Sequence, residues 1–201
     1  MKTIHRLLAV ILGLAALPSE LRAFTEAELE KAGREALQSF KQSIAANPAE
    51  HGFKDAQELE KLKLSPAIPL CVLDRAALAQ KGPAAELATI LQPAQNWYFI
   101  ASLDSEPRAV VSIAVLRGTE TLAPEAFGKE VLAKSLNLFL TKYSACSLLI
   151  VAGRNPLDAY VHIKSEARPN LSPLTGDMKT TAAFVKHPAD AGPVLASLAA
   201  E

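Results

Sequence analysis

Residues 65–78, SPAIPLCVLDRAAL, decide the fold, because the chain from Pro66 to Ala152 is organised around the strand they begin. Ile68–Leu73 is a short apolar run set between prolines and Asp74, a pattern that predicts a strand. RAALAQKGPAAELATIL (75–91) is helical in composition, with a break or kink at Gly82-Pro83. NWYFIASL (96–103) and RAVVSIAVL (108–116) predict two strands joined through DSEP, a tight hairpin signal. PEAFGKEVLAKSLNLFLTKY (124–143) places Pro124 at a helix start and Phe127, Val131, Leu132, Leu136 and Phe139 on one face. CSLLIVA (146–152) predicts the next strand.

Strand, helix, strand, strand, helix, strand is the order of the ferredoxin-like βαββαβ unit, an antiparallel sheet with helices on one face. The expected class is therefore α+β, with that core over 66–152. Upstream, Thr25-Glu26-Ala27-Glu28 has the form of a capping box, and Leu29, Ala32, Ala36, Leu37, Phe40 and Ile44 draw one apolar stripe. An N-terminal amphipathic helix is expected there, stopped by Asn47-Pro48. GFKDAQELEKLKLS (52–65) reads as a loop and a short helix capped by Asp55. Downstream, LDAYVHIK (157–164) alternates strictly, 165–178 is loop by composition, and KTTAAFVK (179–186) reads as a final strand, giving a C-terminal β extension before a short helix at 190–200. Several strands are apolar on both faces, so the second face needs cover from the N-terminal helix or from a partner subunit.

The first 23 residues have the three parts of a secretory signal peptide. Lys2, His5 and Arg6 make the basic start, residues 7–17 the apolar centre, and Leu21-Arg22-Ala23 a small-residue exit. Eleven residues of helix span only about 16 Å, well short of a bilayer's hydrocarbon core of roughly 30 Å. No stable membrane span is expected after cleavage, and 24–201 is expected to form a single α+β domain. Removing the leader takes Lys2, Arg6, Arg22 and Glu20, leaving 18 basic and 20 acidic residues. That balance, with no Lys/Arg cluster, gives no reason to expect nucleic acid. The protein is expected to be exported, to a periplasm or to the outside of the cell.

Export frames the two cysteines. In a ferredoxin-like sheet the first strand lies antiparallel beside the fourth, bringing Cys71 near Cys146. A disulfide closing that loop would contribute about 4 kcal/mol in the chain-entropy model. Two other readings stand beside it: a pair of reduced core thiols, or a nucleophile with neither a helix N-terminus nor a Cys-His signature to activate it.

Other chemistry is sparse. His51, His162 and His187 are isolated, and no HExxH, CxxC, GxSxG or GxxxxGK[ST] pattern occurs, so no metal and no cofactor is expected. Along LDAYVHIK, Asp158, Tyr160, His162 and Lys164 share one face and form a candidate grip for an anionic or aromatic ligand; the plainer reading is a solvated strand face. Trp97 and Tyr98 read as core anchors before they read as a ligand platform. Asn170-Leu171-Ser172 is a glycosylation sequon in an expected loop. These features favour an exported, non-catalytic binding or accessory protein acting on a protein or small-molecule partner. The alternatives are a secreted hydrolase whose groups converge only in three dimensions, and a structural subunit that self-associates, for example as a homodimer through an uncovered sheet face.

Overall fold

The computed structural model describes residues 23–143, 146–150, 159–164, 168–174 and 177–200. The leader and Asp158 lie outside the described residues. The chain begins with α1 (Glu26–Ile44), whose Thr25 hydroxyl accepts from the Glu28 amide while the Glu28 carboxylate accepts from the Thr25 amide. A 3-10 turn at Pro48–His51 and α2 (Ala56–Glu60), capped by Asp55, lead to β1 (Lys63–Leu64) and β2 (Ile68–Leu73). There follow α3 (Arg75–Lys81), a 3-10 turn (Leu87–Thr89), β3 (Leu91–Leu103), β4 (Glu106–Val115), β5 (Leu122–Gly128) and α4 (Glu130–Lys142). The remaining elements are β6 (Cys146–Ile150), β7 (Ala159–Ile163), β8 (Ser172–Pro173), α5 (Met178–Lys186) and α6 (Ala191–Ala199).

The protein is a mixed α+β fold built on one large, mostly antiparallel sheet. Among the described residues the strand order is β5-β4-β3-β2-β6-β7-β8, with β1 pairing β3 above β2. Every pair is antiparallel except β2 with β6, where Leu70 faces Leu148 and Cys71 faces Leu149 in parallel register. This corrects the ferredoxin-like expectation, in which the corresponding strands run antiparallel.

Two local features produce the change. α3 has seven residues, about 10 Å of helix, too little to run back along a six-residue strand of about 20 Å. The segment after β2 is therefore an excursion that returns where it left: the Asp74 amide donates to the Ile90 carbonyl, and Leu73 pairs with Leu91. So β3 lies antiparallel against β2. The second feature is β5. Residues 122–128 pair with β4 instead of opening the helix, with Phe127 opposite Val111. Gly128 (φ 127°) and Lys129 (φ 59°) then break the backbone before α4 begins. The extra strand reverses the chain once more, so β6 starts from the same end of the sheet as β2. The 13 residues of α4 rise about 20 Å, matching the four interstrand steps of about 4.8 Å from β5 to β6.

Both faces of the sheet are covered. On one, α4 and α5 pack over Ile68, Leu70, Tyr98, Ile100, Val110, Leu148, Val161 and Ile163. On the other, α1 and α2 cover Phe99, Ala101, Leu103, Ala109, Val111 and Ile113, with Phe40 stacked on Phe127 at 5.3 Å. A third cluster joins α3 and α6 through Leu78, Ile90, Leu171, Leu195 and Leu198. Residues 179–186 belong to α5, not to a strand: Asp177 accepts from the Lys179 and Thr180 amides, and Thr181 and Val185 are buried. The C-terminal β extension is thus β7 and β8, followed by two helices.

The parallel register also separates the cysteines. Cys146 points with Ile68, Leu70 and Leu148 into the core under α4. Cys71 alternates with Leu70 and faces the opposite side. Three residues of strand lie between their levels, roughly 10 Å along the sheet. Both are free thiols, and a bridge would need Cα atoms within about 7 Å and converging Cβ vectors.

Candidate functional site

The three described members of the 158–164 row go to different environments. Tyr160 is half-buried against the α3–α6 cluster. His162 is half-buried, and its Nδ1 donates to the Asn170 carbonyl at 3.2 Å, since a carbonyl can only accept. Burial pulls its pKa below the usual imidazole value, against the opposing pull of that hydrogen bond, and Lys164 lowers it further. Lys164 is exposed, in the turn after β7. Of the described members, Tyr160 and His162 are thus half-buried and Lys164 is exposed. Trp97 is half-buried, with the Phe24 ring edge-on at 5.5 Å, and Tyr98 is buried; both are core anchors.

Ser147 sits opposite His162 across the β6–β7 ladder. Its side chain is buried and its Oγ has no hydrogen-bond partner among the described residues. The Cys71 sulfur lies near enough for that hydroxyl to ease the thiol's pKa down, yet the geometry falls short of a hydrogen bond. Burial is the larger influence and holds the Cys71 pKa above its ordinary value. A serine opposite a histidine across the ladder is the nearest arrangement to a nucleophile and base among the described residues. Its hydroxyl is 1 % exposed, so no substrate atom reaches it.

Two clefts open on either side of a single wall, Ser65-Pro66-Ala67. Pro66 has no amide to continue the ladder, so Ser65 substitutes: its amide donates to the Ile100 carbonyl and its Oγ accepts from the Ile100 amide, both at 2.9 Å. This pins the wall to β3, while the described part of β6 begins opposite Ile68.

The first cleft, about 420 Å³, lies under α1 with Leu37, Leu62 and Phe99 at its floor. Its rim carries both signs: Glu26 and Glu30 against Arg34 and Lys63, with Arg34 ion-paired to Glu30. The second, about 580 Å³, lies between the wall and the end of α4. Its apolar lining comes from Pro66, Ile68, Pro69 and Leu140, and its polar lining from Asn137, Thr141, Cys146 and Lys164. Tyr143 also lines it, but the phenol is committed, donating to the Val185 carbonyl at 2.8 Å. Cys146 is held protonated at neutral pH, its pKa pushed up to about 11 by burial against the lowering effect of Lys164. Lys164 is the one charged side chain of this cleft and has no ion-pair partner among the described residues.

Of the sequence candidates, Cys146 and Lys164 meet at this cleft, while Cys71, Tyr160 and His162 stay outside it. Asn137, Thr141 and the proline wall have no local signature of binding. Compared with family models, curated proteins and solved structures, the chain matches none.

Proposed function

We propose that this is an exported, non-catalytic protein that holds a small molecule in the cleft between the Ser65–Pro69 segment and the end of α4. The observation that carries the reading is the composition of that cleft. About 580 Å³ falls within the range of about 300–1,000 Å³ of small-molecule sites, and an apolar body with few polar groups is their usual lining. Its described titratable groups supply no acid–base pair: the Cys146 thiol is protonated, the Tyr143 hydroxyl is spent on Val185, and His162 lies on the other sheet face. Hydrolysis would need a positioned base and an accessible nucleophile, and Ser147, the serine opposite His162, is buried. Export rests on the leader at 1–23, and no described helix is long and apolar enough to cross a membrane.

The test uses full-length chain expressed with its leader and the product recovered from the cell exterior or periplasm. Intact mass should show loss of 1–23. Titration with Nile red, an uncharged apolar dye, should show saturable binding that Thr141→Trp abolishes while circular dichroism is unchanged. Dye binding that Thr141→Trp leaves intact, or no dye binding, would overturn the cleft assignment; retention of the leader inside the cell would overturn export.

A further inference from the structure

We infer that the molecule held in the second cleft is an amphiphilic monocarboxylate, an apolar chain or ring bearing one anionic head; this rests on the binding reading above. The sign comes from Lys164. The first cleft balances two carboxylates against two cations and so selects no charge. Among the described residues the second presents a single ammonium without an ion-pair partner, and no carboxylate lines it. The Cys146 thiol in its lining is neutral, so no described group there repels an anion.

The stoichiometry of donors suits one head group. Lys164 supplies a point charge with three N–H donors, and the Asn137 side-chain amide, which has no partner among the described residues, supplies two more. A carboxylate has two acceptor oxygens to satisfy at that mouth. A phosphate, with its higher charge and third oxygen, is usually met by arginine forks, and no arginine lines the cleft among the described residues. Behind the mouth the lining is Pro66, Ile68, Pro69 and Leu140, so the rest of the ligand must be apolar to recover the free energy of leaving water. Thr141 Oγ1 donates to its own helix at the Asn137 carbonyl, 2.8 Å away, and so offers the ligand no competing donor.

Isothermal titration of the processed full-length product with three ten-carbon probes below their micellar concentrations distinguishes the possibilities. Decanoate should bind more tightly than decanol, and decylamine least. In Lys164→Gln, decanoate affinity should fall about fivefold, as for an exposed ion pair, while decanol is unchanged. Lys164→Arg should restore it, and added salt should weaken decanoate binding in the parent alone. If decanol and decanoate bind equally, or Lys164→Gln leaves decanoate unaffected, the anionic class is wrong and the small-molecule site survives. If none of the three binds, the site itself fails.

Discussion

A Cβ placed on Gly33 would stand 2.8 Å from Cζ of Phe99, closer than real Cβ contacts come. Gly33 is buried on the inner side of α1, and the Phe99 ring is 1 % exposed in β3. The glycine lets the helix approach the sheet until backbone meets ring.

Gly33→Ala therefore sets two effects against each other. Alanine is favoured over glycine in a helix interior by about 1 kcal/mol, while overpacking a filled core costs about 1–3 kcal/mol. Because the ring is 1 % exposed and the contact falls on three of its atoms, the second should win, and the urea midpoint should fall. Phe99→Leu combined with Gly33→Ala should recover part of the loss relative to additivity. A Gly33→Ala variant more stable than the parent would mean that α1 does not press on β3 in this way.

Asn170 behaves as a strand partner made from a side chain. Its Oδ1 accepts from the Ile163 amide at 2.8 Å, and its Nδ2 donates to the Ile163 and Arg168 carbonyls at 3.0 and 3.1 Å. The side chain is 3 % exposed, so the sequon it begins cannot carry a sugar without leaving Ile163 unpaired. Asn170→Ala should cost about 2–3 kcal/mol, the penalty of orphaning buried backbone groups. Asn170→Asp should also destabilise, since a carboxylate cannot donate to either carbonyl. Both are read from chemical denaturation, and the product of a glycosylating host should show no sugar mass at this residue once folded.

His162 gives stability a defined pH dependence. Its folded pKa is lowered from 6.5, chiefly by burial, so the unfolded chain takes up the proton first as pH falls. Stability from this group is fully present above about 6.5 and is lost as pH drops through the folded value. Of the groups facing it, cationic Lys164 in the turn after β7 reinforces the sign, the Asn170 carbonyl that accepts from Nδ1 opposes it, and Ser147 across the ladder carries no charge; burial outweighs the hydrogen bond. Urea midpoints should fall between about pH 7.5 and about pH 5.5. In His162→Asn, whose amide can replace the Nδ1 donor, that slope should flatten. An unchanged slope would remove His162 as its origin.

Much of the fold could be read locally, and its failures are instructive. The strict alternation of 157–164 became β7, whose Ala159, Val161 and Ile163 are buried, because period-two patterning is decided by the burial it encodes. The hairpin at β3–β4 and the proline-bracketed β2 were equally legible. Residues 124–128 were not. Pro124 and Phe127 fit a helix start, but pairing with β4 and stacking against Phe40 come from residues far away in sequence. Residues 179–186 show the converse: β-branched composition suggests a strand, while the Asp177 cap and the packing of Val185 under α4 make a helix. The cleft was less legible still. Asn137 and Lys164 are brought together only by the parallel β2–β6 pairing, a consequence of β5 that local pattern does not reveal.

The sulfurs provide the sharpest test of that topology. A bridge between Cys71 and Cys146 would contribute about 4 kcal/mol, so reductant would lower the melting temperature markedly. On opposite faces of adjacent parallel strands, the thiols instead remain separate. Unfolding in denaturant without reductant, followed by alkylation, should add two alkyl groups to the intact mass. Reductant should leave the melting temperature unchanged. In the native state Cys71, which is half-buried, should react before Cys146, which burial also holds protonated. A Cys71→Ser/Cys146→Ala double variant should cost about 1–2 kcal/mol, set by the small cavity under α4 and not by a lost cross-link. A product that takes up alkyl groups only after reduction would show that β2 and β6 meet in another register.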